Sequence, residues 1–327
     1  MLLLPIAMVV AFWAFLVVGY AGGFGGPLPV ARLLIGAFVA LSCLAAPFVH
    51  KRGWLLLAAV FVTSTLGWAM VSPQKDREWS EVSARTPYAT KDGQNITIHD
   101  IRDFRYNADG TWTAHWYDKT FNLDDIEQGY LVLTRFGGID GLAHVMASFR
   151  FKGDQFIVLS AEIRREDGES YDPIGGAMRQ YELYYVAADE RDAIALRTQV
   201  QKDETWLIPM NAGKEKTAEF FVSMVDRITK IHNEPEWYNS ITSSCASNLA
   251  SHYEAVNKVS FPPDYRILLP GFSEELVAEL GLLPEGMSVE DARKSFKINE
   301  VAVKAPLDDS FSRVIRGENL ANRNPPN

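Results

Sequence analysis

Three long apolar runs open the chain, at residues 2–20, 33–49 and 53–71, and beyond residue 72 the pattern changes to short alternations broken by polar turns. A helix needs about 20 apolar residues to cross a bilayer core, with a usable range of about 17–25, so all three runs are predicted to span, the middle one at the short limit. The first run has no basic residues ahead of it and no small-residue cleavage site, which sets it apart from a cleaved signal peptide. The Gly-rich stretch at 21–27 is predicted to be a tight connection, since Gly and Pro interrupt helices. Residues 73–97 are polar and punctuated by Pro and Gly, as in a linker, and residues 98–318 carry the folded soluble domain. The polar tail at 319–327 is expected to fray.

Within the soluble part, residues 111–117 alternate and are rich in aromatic and β-branched types, a strand pattern. Residues 143–165 predict a hairpin, AHVMASFRF and QFIVLSAEIRR joined by Lys152-Gly153-Asp154. Its register follows from the pattern, because a slip by one residue moves every side chain to the wrong face. Pairing Phe151 with Gln155, Phe149 with Ile157 and Ala147 with Leu159 keeps one face apolar and sets His144 across from Glu162. Residues 181–186 and 193–196 are further strand candidates, with 189–192 as a charged turn or cap. Residues 218–232 place Phe221, Met224, Val225 and Ile228 on one helical stripe, read as core. A second helix is expected from Ser244, because Ser caps first-turn backbone donors; Leu249, Tyr253 and Val256 are expected to face the core. Strands followed by helices make an α+β domain behind three transmembrane helices.

Charge divides the chain the same way. The mean hydropathy of −0.06 averages two unlike pieces. Arg32, Lys51 and Arg52 are the only charged residues in 1–72, so the rest of the chain holds all 41 acidic residues against 29 of the 32 basic ones. An acidic domain without basic, aromatic-interleaved runs excludes nucleic acid as partner. The loop His50-Lys51-Arg52 is the strongest basic cluster of the membrane region, and short basic loops stay in the cytoplasm, so residue 73 onward is expected on the outer face.

Only two cysteines exist, Cys43 inside the second apolar run and Cys245 in the exported domain. A lone thiol in an oxidising compartment has no disulfide partner. At a helix start the dipole and free N–H groups lower a thiol's pKa, and the same donors can hold an oxyanion. A thiolate needs a base, and the base an orienting carboxylate; His144 and Glu162 on adjacent strands supply both. His252 lies seven residues along the same helix, about 10 Å down its axis, and cannot reach the thiol. The remaining histidines show no metal-ligand spacing, so no metal or cofactor is expected. Arg102, Arg105, Arg164 and Arg179 are read as ion-pairing residues before lipid-phosphate ligands. On these residues alone, a Cys-His enzyme and a structural Cys with an ordinary strand His both stay open.

The succession RDFRY at 102–106, AHVMASFRF at 143–151, LSAEIRREDGESY at 159–171, YELYYVAADERDAIALR at 181–197, WYNSITSSCASNL at 237–249 and FSRVIRGE at 311–318 resembles the Lnb family of bacterial lipoprotein N-acyltransferases. That resemblance implies a permuted papain-like fold related to lecithin:retinol acyltransferase, with Cys245 as nucleophile, His144 as base and Glu162 as orienting acid. It also implies a phospholipid acyl donor, a diacylglyceryl lipoprotein acceptor and a place in the bacterial inner membrane with the domain in the periplasm. Ser243 and Ser244 stand where members usually carry Asn. Two rivals remain: a cell-wall cysteine amidase or peptidase using the same trio, and a non-catalytic membrane-anchored module that binds a partner through aromatics such as Trp112 and Trp116.

Overall fold

A computed structural model describes residues 3–21, 30–74, 76–107 and 109–318; the 21–27 connection beyond Ala21 and the 319–327 tail lie outside them. The chain divides into two compact units, the first made of residues 1–84, 163–184 and 235–243, the second of 85–162, 185–234 and 244–327.

The first unit opens with the helices α1 (Leu3–Tyr20), α2 (Val30–Val49) and α3 (Gly53–Met70). Among the described residues, two of them, α2 and α3, are long and apolar enough to cross a membrane, which corrects the expected three. The apolar stretch described for α1 is shorter, Leu4–Tyr20. Cys43 is buried with Ala7, Val10, Ala11, Ala46 and Leu57 as a small apolar side chain. The turn at His50-Lys51-Arg52 is tight enough to demand Gly53, where a Cβ would sit 2.1 Å from the Ala46 carbonyl oxygen. At its far end, α3 leaves carbonyls that no helical N–H reaches. Arg179 donates to the carbonyls of Trp68 and Ala69 at 3.1 Å, and its guanidinium lies 4.0 Å from the Trp68 ring centre. Its partners are thus backbone and ring rather than a carboxylate. A short helix, α4 (Pro173–Ala177), completes this unit, capped by Asp172.

The second unit is built on strands β1 (Tyr88–Asp92), β2 (Asn95–Arg102), β3 (Arg105–Tyr106), β4 (Trp112–Thr113), β5 (Trp116–Asn122), β6 (Ile126–Arg135), β7 (Ala143–Phe151), β8 (Gln155–Arg164), β9 (Glu182–Ala188) and β10 (Glu204–Pro209). Eight form one sheet in the order β1-β2-β9-β8-β7-β6-β10, with β5 also on β2, while β3 and β4 pair separately. The last residues of β8 and the first of β9 belong to the first unit. Mixed α+β architecture is as expected. Strand structure begins at Tyr88, inside the stretch read as linker, because Tyr88 pairs with His99 and Asp92 with Asn95 across a two-residue turn.

The β7–β8 hairpin has the expected register: Phe151 faces Gln155, Phe149 faces Ile157 and Ala147 faces Leu159. Its three-residue turn takes positive φ at Gly153 and Asp154 (72° and 56°), which a glycine tolerates without strain. Two local expectations are corrected. The run 111–117 is split, since Trp112 pairs with Tyr106 and Trp116 with Arg102, so its halves serve different sheets. Residues 193–196 are helical, in α5 (Glu190–Ala195) and a π-helical turn at Leu196–Val200. Asp189 caps α5 by accepting from the Arg191 N–H at 3.0 Å. The buried Asp192 carboxylate binds Arg102 through two 2.9 Å bonds and the Phe104 N–H at 2.8 Å, which holds that turn in place.

Helix α6 (Lys214–Asn233) lays Phe221 against Phe149 and Phe151, with ring centres 5.0 and 5.2 Å apart. Helix α7 (Cys245–Asn257) packs beside it on the β6–β7 pair through Ala246, Val145, Leu131 and Leu133. Short helices between Tyr265 and Val314 complete the unit.

Candidate functional site

Ser244 begins α7 as predicted. Its hydroxyl accepts from the Ser247 N–H while the Ser247 hydroxyl accepts from the Ser244 N–H, a reciprocal cap that fixes where the helix starts. Cys245 is therefore the first helical residue, and the backbone N–H groups of Cys245 and Ala246 are first-turn donors that the helix itself does not use. The thiol is buried, 7% exposed, within an apolar cluster that includes Leu131, Val145 and Trp206.

The structure brings the three sequence-predicted residues together. His144 hydrogen-bonds Cys245, and its Nε2 lies 3.0 Å from Glu162 Oε1 and 2.8 Å from Ser160 Oγ. With Nε2 committed to the carboxylate and the hydroxyl, Nδ1 is the nitrogen left for the sulfur. Cys245 also accepts from the Val145 backbone N–H. The imidazole and the carboxylate are 13% and 25% exposed, so water screens the pair weakly.

Electrostatics follow from that arrangement. Burial opposes charge on His144, but the Glu162 carboxylate and then the Cys245 sulfur outweigh it and raise its pKa to about 9. For Glu162, burial favours the neutral acid; His144, and after it Arg197, overcome this and hold the carboxyl well below the usual carboxylate range. Burial likewise resists a thiolate at Cys245, yet the His144 charge, its hydrogen bond and the Val145 N–H bring the pKa below that of an ordinary thiol. Both shifts favour a thiolate beside an imidazolium, a pair that can attack an acyl carbonyl and hand a proton to the departing group.

Two members of the site escaped the sequence reading. Ser160 is the residue opposite Met146 in the predicted register, and alternation alone puts its hydroxyl on the His144 side of β8. Arg197, from the π-helical turn, donates through Nη2 to Glu162 Oε1 at 3.1 Å. Such turns recur at functional sites, but nothing local in 181–197 marks one. His252 stays apart: buried, it bonds the Tyr185 hydroxyl at 2.9 Å and Ser223 Oγ at 2.8 Å, and burial lowers its pKa to about 4. It is a neutral structural residue. Of the helix face expected to join the core, Leu249 packs against the cluster around Cys245, and Leu249, Tyr253 and Val256 together also line a cavity of about 300 Å³. Trp112 is 41% exposed and Trp116 carries the Arg85 guanidinium 4.5 Å from its ring centre. Arg102 and Arg105 are ion-paired with Asp192 and Asp103, and Arg164 lies 4.0 Å from Glu182. Among the described residues, no group of three or more His, Cys, Asp or Glu is placed to hold a metal ion.

No curated protein and no solved structure matches the chain. Residues 112–271, which contain His144, Glu162 and Cys245, match the family model described as the Lnb N-terminal periplasmic domain. With two apolar helices ahead of the matched segment, that match supports membership of the Lnb family and a membrane-anchored protein whose domain faces the periplasm.

Proposed function

We propose that the protein is a lipoprotein N-acyltransferase. It moves a fatty acyl group from a membrane phospholipid, through a thioester on Cys245, to the α-amine of the diacylglyceryl-modified N-terminal cysteine of lipoproteins. The observation that carries this reading is the continuous contact from Glu162 through His144 to a sulfur at the first turn of α7. The family match over the same residues supports it. His144 and Glu162 precede Cys245 in the chain, the order of a permuted papain-like arrangement. The helices act as a multi-pass anchor in the inner membrane; since both substrates are lipids of one bilayer, tethering replaces a search in three dimensions.

In the first half-reaction the thiolate attacks the ester carbonyl, the C–S bond forms and the C–O bond breaks. The alkoxide of the lysophospholipid leaves with the proton from the His144 imidazolium. In the second, the free amine attacks the thioester carbonyl, the C–N bond forms, the thiolate departs and His144 takes up the amine's proton. Each tetrahedral oxyanion faces the first-turn N–H groups of α7. Thiol and imidazole suffice for this acyl transfer, and Glu162 holds the ring and balances its charge.

The decisive experiment is mass spectrometry of a lipoprotein's N-terminal peptide from cells with and without the protein. The peptide should gain one acyl mass only where the protein is present. Incubating purified protein with phospholipid and no amine should add one acyl mass to the Cys245 peptide, removable by hydroxylamine. An adduct on another residue, or continued N-acylation by Cys245→Ala, would overturn the mechanism.

A further inference from the structure

An apolar space begins beside the candidate nucleophile. The cavity of about 300 Å³ is walled by Ala246, Leu249, Tyr253 and Val256 of α7 and by Val145 and Phe149 of β7. Ala246 follows Cys245 in the chain and Val145 follows His144, so one end of the space is walled by the immediate neighbours of both. Along α7, at ~1.5 Å per residue, Val256 lies roughly 16 Å from Cys245, so the space extends away from the thiol as a slot. Its two charged wall residues are engaged elsewhere. Lys216 Nζ bonds Glu219 at 2.7 Å and the Val256 carbonyl at 3.1 Å, and Arg266 bonds Asp264 at 2.6 Å and Glu279 at 2.7 Å. A peptide or an anion would find few free polar partners there, whereas a hydrocarbon needs none. The volume stands at the lower end of small-ligand sites, ~300–1,000 Å³, which favours one chain over two.

Resting on the acyl-transfer reading, we infer that this slot holds the single acyl chain being transferred, with its carbonyl at Cys245 and its methyl end toward Val256. The slot then selects the acyl chain by length, and the residues that set the limit are those of α7 beyond the nucleophile. A peptide-cleaving site has no use for such a slot, so the inference also bears on which reaction the trio performs.

The test uses the full-length protein in detergent and a series of p-nitrophenyl esters from acetyl to hexadecanoyl, with acylation of Cys245 read by intact mass. Each added methylene should speed acylation roughly fourfold until the slot is full, the transfer free energy of one buried CH₂. Val256→Trp should lower the optimum to shorter chains, and Ala250→Phe, only about 7 Å along the axis from Cys245, should lower it further. A second measurement, calorimetric binding of dodecanoic acid to Cys245→Ala protein, covers the case in which the chemistry fails. If Cys245 is acylated at a rate independent of chain length in all three proteins, the slot is not the acyl site and the transferase reading survives. If no ester acylates Cys245 but dodecanoic acid binds and Val256→Trp weakens it at least tenfold, the slot stands and the thioester mechanism falls. Absence of both effects overturns both.

Discussion

Replacing Glu162 by Gln keeps the shape of the site and removes one charge, so it isolates what the carboxylate does to His144. The imidazole's pKa stands at about 9 against its ordinary 6.5. At about 1.4 kcal/mol per unit, the protonated ring is favoured by roughly 3 kcal/mol. Glu162 leads the effects that produce this rise, ahead of Cys245, and both work against burial. Without the carboxylate, burial is opposed by the sulfur alone, and the pKa should fall by about 1–2 units, the usual effect of an opposite charge at this range. The sign follows directly. Below about 9 the imidazolium can protonate the leaving alkoxide, and as pH rises through that value this proton is lost, so wild-type acyl transfer should decline on the alkaline side near 9. In Glu162→Gln that limb should move toward neutrality by the same ~1–2 units, with a roughly ten- to hundredfold loss of turnover at pH values between the two limbs. The assay is the pH profile of single-turnover acylation of Cys245, with Cys43→Ala as background so that one thiol remains. An alkaline limb that stays in place in Glu162→Gln would refute the argument, as would a variant as inert as Cys245→Ala. The same shifts bear on stability. The His144 contribution is complete below about 6.5 and lost as pH rises through about 9, while that of Glu162 is complete above 4.5 and lost as pH falls through its depressed value.

Arg197→Met should leave Glu162 without its second partner and cut acylation of Cys245 roughly tenfold, with the loss in turnover rather than in substrate affinity; unchanged turnover would make Arg197 a bystander. Ser244→Ala removes the reciprocal cap and should cost about 1 kcal/mol of stability, read by denaturant unfolding, while raising the thiol pKa seen in alkylation by iodoacetamide. A reporter fused after residue 75 should be active only in the periplasm, because the basic turn between α2 and α3 holds that loop inside whether or not α1 spans; cytoplasmic activity would undo the export argument.

The candidate site was readable from sequence where its geometry is local. Alternation and one glycine-containing turn set the β7–β8 register, because a period of two leaves no freedom to slip without inverting a face. Serines before a helical stripe placed Cys245 at a first turn, since a cap is a property of a few consecutive residues. The misreadings share a cause in distance along the chain. Residues 189–192 look like a charged turn or cap, not the start of a buried helix, because their partners lie far away: Asp192 meets Arg102, and Glu190 meets Arg316 at 2.6 Å. Buried charges are indistinguishable from solvated ones until those partners are known. Arg197 was one arginine among many for the same reason.

The sequence by itself determined the hairpin and the two long helices α6 and α7, and put forward Cys245, His144 and Glu162 as neighbours, all from periodicity, caps and charge. Tertiary structure alone decided that Ser160 and Arg197 join the trio, and that Leu249, Tyr253 and Val256 line a space beside the core. An apolar stripe states only that water is excluded from one helix face. Whether protein atoms or an empty slot meets that face depends on the volumes of side chains brought from β6, β7 and residues 261–282, which no local pattern records.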